Sequence, residues 1–260
     1  MVYIVGAGAG DPELITVKGQ RLLREADVVI YAGSLVNPEL LKICKAGAEI
    51  HNSAEMTLAE VLSVIETADA AGKNVVRLHT GDPALYGAIQ EQIDALAEKN
   101  ISFEIVPGVS SFLAAAAALR QELTLPAVTQ TVIITRIAGR TPVPQRESLT
   151  ELARHKSTLC IFLSVNFIAQ VVEELLAGGL SADTPVAVVA RASWQDEKII
   201  RGTLETVAAQ VAAENISRTA MIIVGECLNR RCEKSRLYAP DFSHMYRGGF
   251  DGQIQNQNQG

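Results

Sequence analysis

The 260-residue sequence lacks the features that mark several classes of protein. No segment approaches the roughly 18 uninterrupted apolar residues of a membrane-spanning helix, and the longest near-candidate, residues 109–119, is short and alanine-rich. Basic residues are in deficit, with 23 lysines and arginines against 29 aspartates and glutamates, which disfavours a general nucleic-acid binder. Hydrophobic residues make up 48% of the chain, which excludes a disordered protein. A strand-like run begins at Val2 with no basic stretch before it, so we expect no signal peptide.

Patterns typical of disulfides and metal sites are also missing. The four cysteines form no CxxC pair, which predicts reduced thiols and a cytoplasmic protein. Cys227 and Cys232 are near each other in sequence, but no further cysteine or histidine lies at the spacing of a zinc finger. The four histidines form neither HxxxH nor HExxH. We therefore expect no metal site.

Apolar segments alternate with amphipathic ones through the first half of the chain. Uniformly apolar strands between helices favour a mostly parallel sheet covered on both faces; they are predicted at residues 2–5, 27–31, 75–78 and 103–106. A polar stretch at residues 120–126 precedes a second set of strands and helices. The sequence therefore predicts an α/β protein of two domains, residues 1–120 and 121–247, with a ligand cleft between them. The Gln/Asn-rich tail, residues 248–260, is predicted to be disordered.

Three loops rich in glycine and small polar residues follow strands of the first half. They read GAGAGDP at residues 6–12, HTGDPALYG at 79–87 and VPGVSS at 106–111. Because the carboxyl ends of parallel strands share one edge of the sheet, where open α/β proteins bind ligands, we expect these loops to form one site. Asp11 stands where the dinucleotide fingerprint GxGxxG needs its third glycine, and its carboxylate would repel a pyrophosphate.

Positive charge is concentrated in two segments of this acidic chain. Residues 136–156 carry five basic and two acidic side chains, and a second basic cluster lies between residues 230 and 247. A positive local field attracts a polyanionic ligand. Arg136 and Arg140 flank Gly139 in a predicted loop, and they are candidates for holding carboxylates through forked hydrogen bonds.

The three loops, with LITVKG at residues 14–19 and RGTL at 201–204, resemble the tetrapyrrole methylase family. Its members are S-adenosylmethionine-dependent enzymes of corrin and sirohaem biosynthesis, and the resemblance covers residues 2–247. The stretches YAGSLV at 31–36 and TRIAGRTP at 135–142 are similar to members that methylate carbon 11 of precorrin-4, above all in the cobalt-dependent branch of cobalamin synthesis. The resemblance implies a cytoplasmic C-methyltransferase acting on a tetrapyrrole polycarboxylate, with neither a nucleic-acid nor a membrane partner. Homodimers are the commonest assembly, and we expect one here.

The resemblance also implies a cofactor site in the cleft between the domains. The residues it assigns to S-adenosylmethionine, released as S-adenosylhomocysteine, are Gly8, Ala9, Gly10, Thr80, Gly81, Asp82, Leu85, Ser110, Ser111, Leu163, Ala192, Thr219 and Ala220. The candidates for the substrate are Tyr31, Arg136 and Arg140. The family usually has proline at the position of Ala9. Uroporphyrinogen-methylating members have an aspartate, proposed as a base, where this chain has Ala32, so no catalytic base is assigned.

Several functions stay open on the sequence alone. The first is methylation of cobalt-precorrin-4, with metal-free precorrin-4 or another ring position as near variants. A nicotinamide-dependent oxidoreductase is indicated by the first glycine-rich turn and disfavoured by the missing third glycine. A non-catalytic nucleotide- or tetrapyrrole-binding module is the third class.

Overall fold

The computed structural model describes residues 1–229 together with Ser235, Ala239, Phe242, Ser243 and Met245. The second basic cluster (Arg230, Arg231, Lys234, Arg236 and Arg247) and the tail predicted to be disordered lie outside the described residues. In the described part of the chain, no helix has the length and apolar character needed to cross a membrane. Two α/β units are present, each built on a five-stranded sheet.

The sheet of the first unit is parallel throughout, which confirms the predicted architecture. Its strand order is β3-β2-β4-β1-β5, and the strands are β1 Val2–Gly6, β2 Val28–Tyr31, β3 Glu49–Asn52, β4 Val75–His79 and β5 Phe103–Val106. Strand β4 is buried along its whole length, as expected for a central strand with helices on both faces. The sequence did not predict β3, because this edge strand is polar and has no buried residue.

Four helices belong to the first unit, and three of them cover its sheet. They are α1 Val17–Glu25, α2 Leu58–Ala70, α3 Gln90–Glu98 and α4 Ser111–Leu119. Helix α1 buries Leu23 against one face of the sheet, and α2 and α3 bury Ile65 and Leu96 against the other. Helix α2 begins with a capping box, in which the side chains of Thr57 and Glu60 each accept a hydrogen bond from the other residue's backbone N–H.

The second unit has a mixed sheet with the order β6-β7-β10-β8-β9. Its strands are β6 Val132–Arg136, β7 Thr158–Phe162, β8 Pro185–Ala190, β9 Lys198–Thr203 and β10 Ala220–Val224. Only β6 and β7 run parallel, and the other pairs are antiparallel. Helices α5 Leu149–Ala153, α6 Ile168–Ala177 and α7 Val207–Ala213 pack on one face of this sheet.

Helix α4 covers the other face of the second sheet and thereby joins the two units. Its small residues Ala114 and Ala115 share a buried cluster with Ala187 of β8 and Ile223 of β10. The apolar run at residues 109–119 therefore serves this contact between units. Because α4 follows the first sheet in sequence but packs on the second, the domain limits 1–120 and 121–247 stay a prediction.

Candidate functional site

The three glycine-rich loops meet at the carboxyl edge of the first sheet. Gly8 and Gly81 exchange backbone hydrogen bonds, with N–O distances of 3.3 and 2.8 Å. A Cβ atom added to Gly6 would lie 2.6 Å from the Cα of Gly108, and one added to Gly108 would overlap the carbonyl oxygen of Gly81. Glycine is required here because the backbones of the three loops touch.

The carboxylate of Asp82 ties the second loop to the third. Its Oδ1 accepts a hydrogen bond from the backbone N–H of Ala84 at 2.8 Å, and its Oδ2 accepts one from Gly108 at 2.9 Å. Hydrogen bonds to an ionised acceptor are among the stronger ones in proteins. Asp82 therefore holds the second and third loops together, and the sequence did not reveal its contact with the third loop.

A cavity of about 420 Å³ opens between the two units beside these loops. Its volume falls in the range of roughly 300–1,000 Å³ that is typical of small-molecule sites. All of the residues predicted for the cofactor line it except Gly8 and Gly10, and they are Ala9, Thr80, Gly81, Asp82, Leu85, Ser110, Ser111, Leu163, Ala192, Thr219 and Ala220. Gly8 pairs with Gly81, and Gly10 lies against the ring of Trp194, which is itself in the lining.

Backbone strain is concentrated around this cavity. Four lining residues other than glycine have a positive φ: Tyr86 and Leu163 at 56°, and Arg191 and Thr219 at 52°. Each such conformation costs on the order of 1–3 kcal/mol, and conformations of this kind cluster at ligand sites. Leu163 is also 67% exposed, although it is an aliphatic residue. The fold alone gives no reason for this exposure, which is expected of a side chain that contacts a ligand.

Few titratable groups face the cavity. Among the described residues, no histidine, lysine, cysteine or glutamate lines it, and the charged lining residues are Asp82, Arg191 and Arg218. Burial raises the pKa of the Tyr86 hydroxyl above its ordinary value. The Nε of Arg191 is 2.6 Å from Oδ1 of Asp196, which balances its charge. The lining therefore offers no histidine- or lysine-based acid–base pair for proton transfer.

His79 lies beneath the site, at the end of β4, and is not part of the cavity lining. It is 4% exposed, and its Nε2 has no hydrogen-bond partner. Burial, together with the charge of Arg77, lowers the pKa of His79 to about 3. Arg77 is buried as well and donates to Oε1 of Gln92 and to the carbonyl of Ile30, both at 3.1 Å. His79 is therefore a neutral side chain of the core.

The predicted substrate residues do not belong to the cavity lining. Tyr31 is partly buried against the core of the first unit. The guanidinium group of Arg136 donates to the carbonyls of Ile137, Thr141 and Pro142 at 3.2, 3.1 and 2.9 Å, and so braces its own loop. Arg140 is exposed on that loop. The assignment of Tyr31, Arg136 and Arg140 to the substrate stays a prediction.

Three aromatic lining residues were missed from the sequence: Tyr86, Phe162 and Trp194. The rings of Tyr86 and Phe162 are 5.2 Å apart and tilted by 48°. Aromatic residues are only 5% of the chain, and Trp194 is its single tryptophan. All three lie inside or directly beside segments that were assigned to the cofactor. Their position in the sequence could therefore have identified them as candidates for the cavity lining.

The fold and the cavity define a two-unit α/β protein with a cavity of small-molecule size between its units. Residues 1–208 match the sequence model of the Tetrapyrrole (Corrin/Porphyrin) Methylases. The chain belongs to this family.

Relatives within the family are similar over nearly the whole chain. The cobalt-precorrin-4 C(11)-methyltransferase of Methanocaldococcus jannaschii is 59% identical over 247 residues, 95% of each chain. The precorrin-4 C(11)-methyltransferase of Pseudomonas aeruginosa is 52% identical over 249 residues, 95% of this chain and 99% of that one. The X-ray structure of a cobalt precorrin-4 methyltransferase superposes with a TM-score of 0.86 at 51% identity, covering 88% of this chain and 95% of that one.

A more distant structure contains a product of methyl transfer. Uroporphyrin-III C-methyl transferase from Thermus thermophilus, complexed with S-adenosylhomocysteine, has a TM-score of 0.73 and 30% identity to this chain. The alignment covers 90% of this chain and 95% of that one.

Proposed function

We propose that this chain is an S-adenosylmethionine-dependent methyltransferase that methylates carbon 11 of cobalt-precorrin-4 in anaerobic cobalamin biosynthesis. One observation carries most of the proposal. Eleven of the thirteen residues that the resemblance assigns to the cofactor line one cavity between the units. The chain is 59% identical, over 247 residues, to a cobalt-precorrin-4 C(11)-methyltransferase.

The chemistry of the cavity fits S-adenosylmethionine. Leu163 and Met221 provide apolar surface that suits a purine ring, and the hydroxyls of Thr80 and Ser110 suit the ribose and the amino acid. The carboxylate of Asp82 attracts the positive charge of a sulfonium or an ammonium group. A dinucleotide fits the loops around Asp82 less well, because this carboxylate would repel a pyrophosphate placed there.

When bound, the cofactor supplies a methyl group on a positively charged sulfur. The protein then has to align the reacting carbon with that methyl group and to exclude water. Alignment alone contributes about 7–11 kcal/mol in favourable cases. The three loops and the N-terminus of α4 hold the donor side of the cavity, and their backbone contacts fix its shape. A site without a histidine or lysine pair suffices for such a reaction.

An apolar surface leads from the cavity towards the loop of Arg136 and Arg140. Phe162 and Leu163 line the cavity. Phe167, four residues after Leu163, is 39% exposed, and a Cβ atom added to Gly139 would lie 3.6 Å from its ring. A flat macrocycle with carboxylates at its rim matches an apolar surface bordered by arginines. We place the tetrapyrrole there.

We also infer that the protein works in the cytoplasm as a homodimer. Cys44, Cys160 and Cys227 are free thiols, which suits a reducing compartment. Homodimers are the commonest closed assembly. Size-exclusion chromatography with light scattering tests the dimer, and a monomeric mass would contradict it.

The test of the proposed reaction is incubation of the purified protein with S-adenosylmethionine and either cobalt-precorrin-4 or metal-free precorrin-4. Mass spectrometry and NMR of the product are expected to show one added methyl group, at carbon 11, on the cobalt form. Preference for the metal-free form would favour the alternative indicated by the 52% identity to the Pseudomonas aeruginosa enzyme. No methylation of either form would overturn the proposal.

A further inference from the structure

We propose that Trp194 is a positioning residue, which fixes the first glycine-rich loop against the second unit and thereby sets the width of the cofactor cavity. This inference rests on the proposed function. Trp194 belongs to a loop that follows β8, residues 191–197, which we term the clasp. Arg191, Ala192 and Trp194 of the clasp line the cavity.

Two hydrogen bonds cross from the clasp to the first loop. The indole Nε1–H of Trp194 donates to the carbonyl of Ala9 at 3.2 Å, and the hydroxyl of Ser193 accepts from the backbone N–H of Asp11 at 3.0 Å. The indole ring also lies directly on Gly10, since a Cβ atom added there would overlap the ring. The first unit is therefore held to the second at three consecutive residues beside the cavity.

Contacts within the clasp hold its conformation. Arg191 and Ser193 have left-handed φ values of 52° and 67° on either side of Ala192. The carboxylate of Asp196 pairs with Arg191 at 2.6 Å, and that of Glu197 accepts from the backbone N–H of Ser193 at 2.7 Å. Such a conformation persists only where neighbouring contacts hold it. The shape of the clasp is thus fixed independently of a ligand.

The guanidinium group of Arg191 lies 4.0 Å from the centre of the Trp194 ring. This cation–π contact holds the indole at the angle from which its N–H reaches Ala9. Ala9 and Ala192 line the cavity from different units, and Trp194 connects the two walls. Loss of the indole is expected to release the first loop and to admit water into the site.

The test is calorimetric titration of S-adenosylhomocysteine into the wild-type protein, Trp194→Phe and Trp194→Ala. Phenylalanine keeps an aromatic ring against Gly10 but cannot donate to Ala9, so its Kd should rise about 2- to 10-fold, the effect of one hydrogen bond. Alanine loses both contacts, and its Kd should rise further. In the methyl-transfer assay, Trp194→Phe should raise KM for S-adenosylmethionine and leave kcat near the wild-type value.

Two controls separate positioning from a general loosening of the units. Arg201 also crosses between the units, donating to the carbonyl of Leu119 at 2.7 Å, but it is not part of the lining. Arg201→Met should lower the melting temperature and leave the Kd unchanged. Gly10→Ala should weaken binding in the wild-type background and much less in Trp194→Ala, because the nearest atoms to the added methyl all belong to Trp194.

The Kd values for S-adenosylhomocysteine decide whether Trp194 is a positioning residue. Wild-type Kd values in both Trp194 variants would overturn the proposal, as would an equal loss of affinity in Arg201→Met. A wild-type protein that binds no S-adenosylhomocysteine would overturn the proposed function together with this inference. A wild-type protein that binds it, with variants that bind equally well, would remove only the role of Trp194.

Discussion

Replacement of Asp82 by alanine removes two hydrogen-bond acceptors. One accepts from Ala84 at 2.8 Å within the second loop, and the other accepts from Gly108 at 2.9 Å and joins the second loop to the third. A hydrogen bond to a charged group contributes about 1.5–3 kcal/mol. Asp82 is only partly buried, so the lower value applies to each bond, and the free energy of unfolding should fall by about 3 kcal/mol. For a chain of this size the melting temperature should fall by about 6–12 °C. Asp82→Asn keeps one acceptor oxygen and should lose about half as much.

Both loops line the cavity, so Asp82→Ala should also raise the Kd for S-adenosylhomocysteine. Differential scanning calorimetry and calorimetric titration measure the two effects. Thr57→Ala is the matched control, because it removes the capping box of α2, away from the cavity. It should cost about 1 kcal/mol and leave the Kd unchanged. An Asp82→Ala protein with wild-type melting temperature and Kd would refute the role of this carboxylate.

Three further predictions concern His79, Trp194 and Arg136. The pKa of His79 is lowered to about 3, against 6.5 when unfolded, so below pH 6.5 only the unfolded state gains this proton. The free energy of unfolding, measured by urea unfolding, should therefore fall by about 2 kcal/mol between pH 7 and 5. His79→Gln should remove this part of the pH dependence. The same pH dependence in His79→Gln and in the wild-type protein would contradict the lowered pKa of His79. Trp194 is the single tryptophan and lines the cavity, so S-adenosylhomocysteine should change the tryptophan emission; binding without any change would place the ligand elsewhere. Arg136→Ala should raise KM for the tetrapyrrole without altering the Kd for S-adenosylhomocysteine, and an unchanged KM in steady-state assays would remove Arg136 from the substrate site.

The sequence predicted that the three glycine-rich loops meet at one edge of the sheet, because parallel strands dictate it. Uniformly apolar strands between helices define a parallel sheet, and the loops after such strands share one edge. The glycines then mark the places where backbones touch, as Gly6, Gly81 and Gly108 do. Both features depend only on the local sequence and on the general geometry of sheets, so they can be predicted from a single sequence.

Features that depend on long-range packing escaped prediction. The polar edge strand β3 has no apolar signature of its own and forms by pairing with β2. The carboxylate of Asp82 accepts a hydrogen bond from the backbone of Gly108, 26 residues away. The indole N–H of Trp194 donates to the carbonyl of Ala9, 185 residues away. The contacts of Arg136 with three carbonyls of its own loop were not predicted either, and its assignment to the substrate stays a prediction. A side chain's partner is set by the tertiary fold, which residue type alone does not specify.

Calorimetric titration of the wild-type protein with S-adenosylhomocysteine and, separately, with NADH tests most directly what the cavity holds. The arrangement of the loops around Asp82 predicts one saturable site per chain for S-adenosylhomocysteine and no binding of NADH. Saturable binding of NADH, with no heat from S-adenosylhomocysteine, would contradict it.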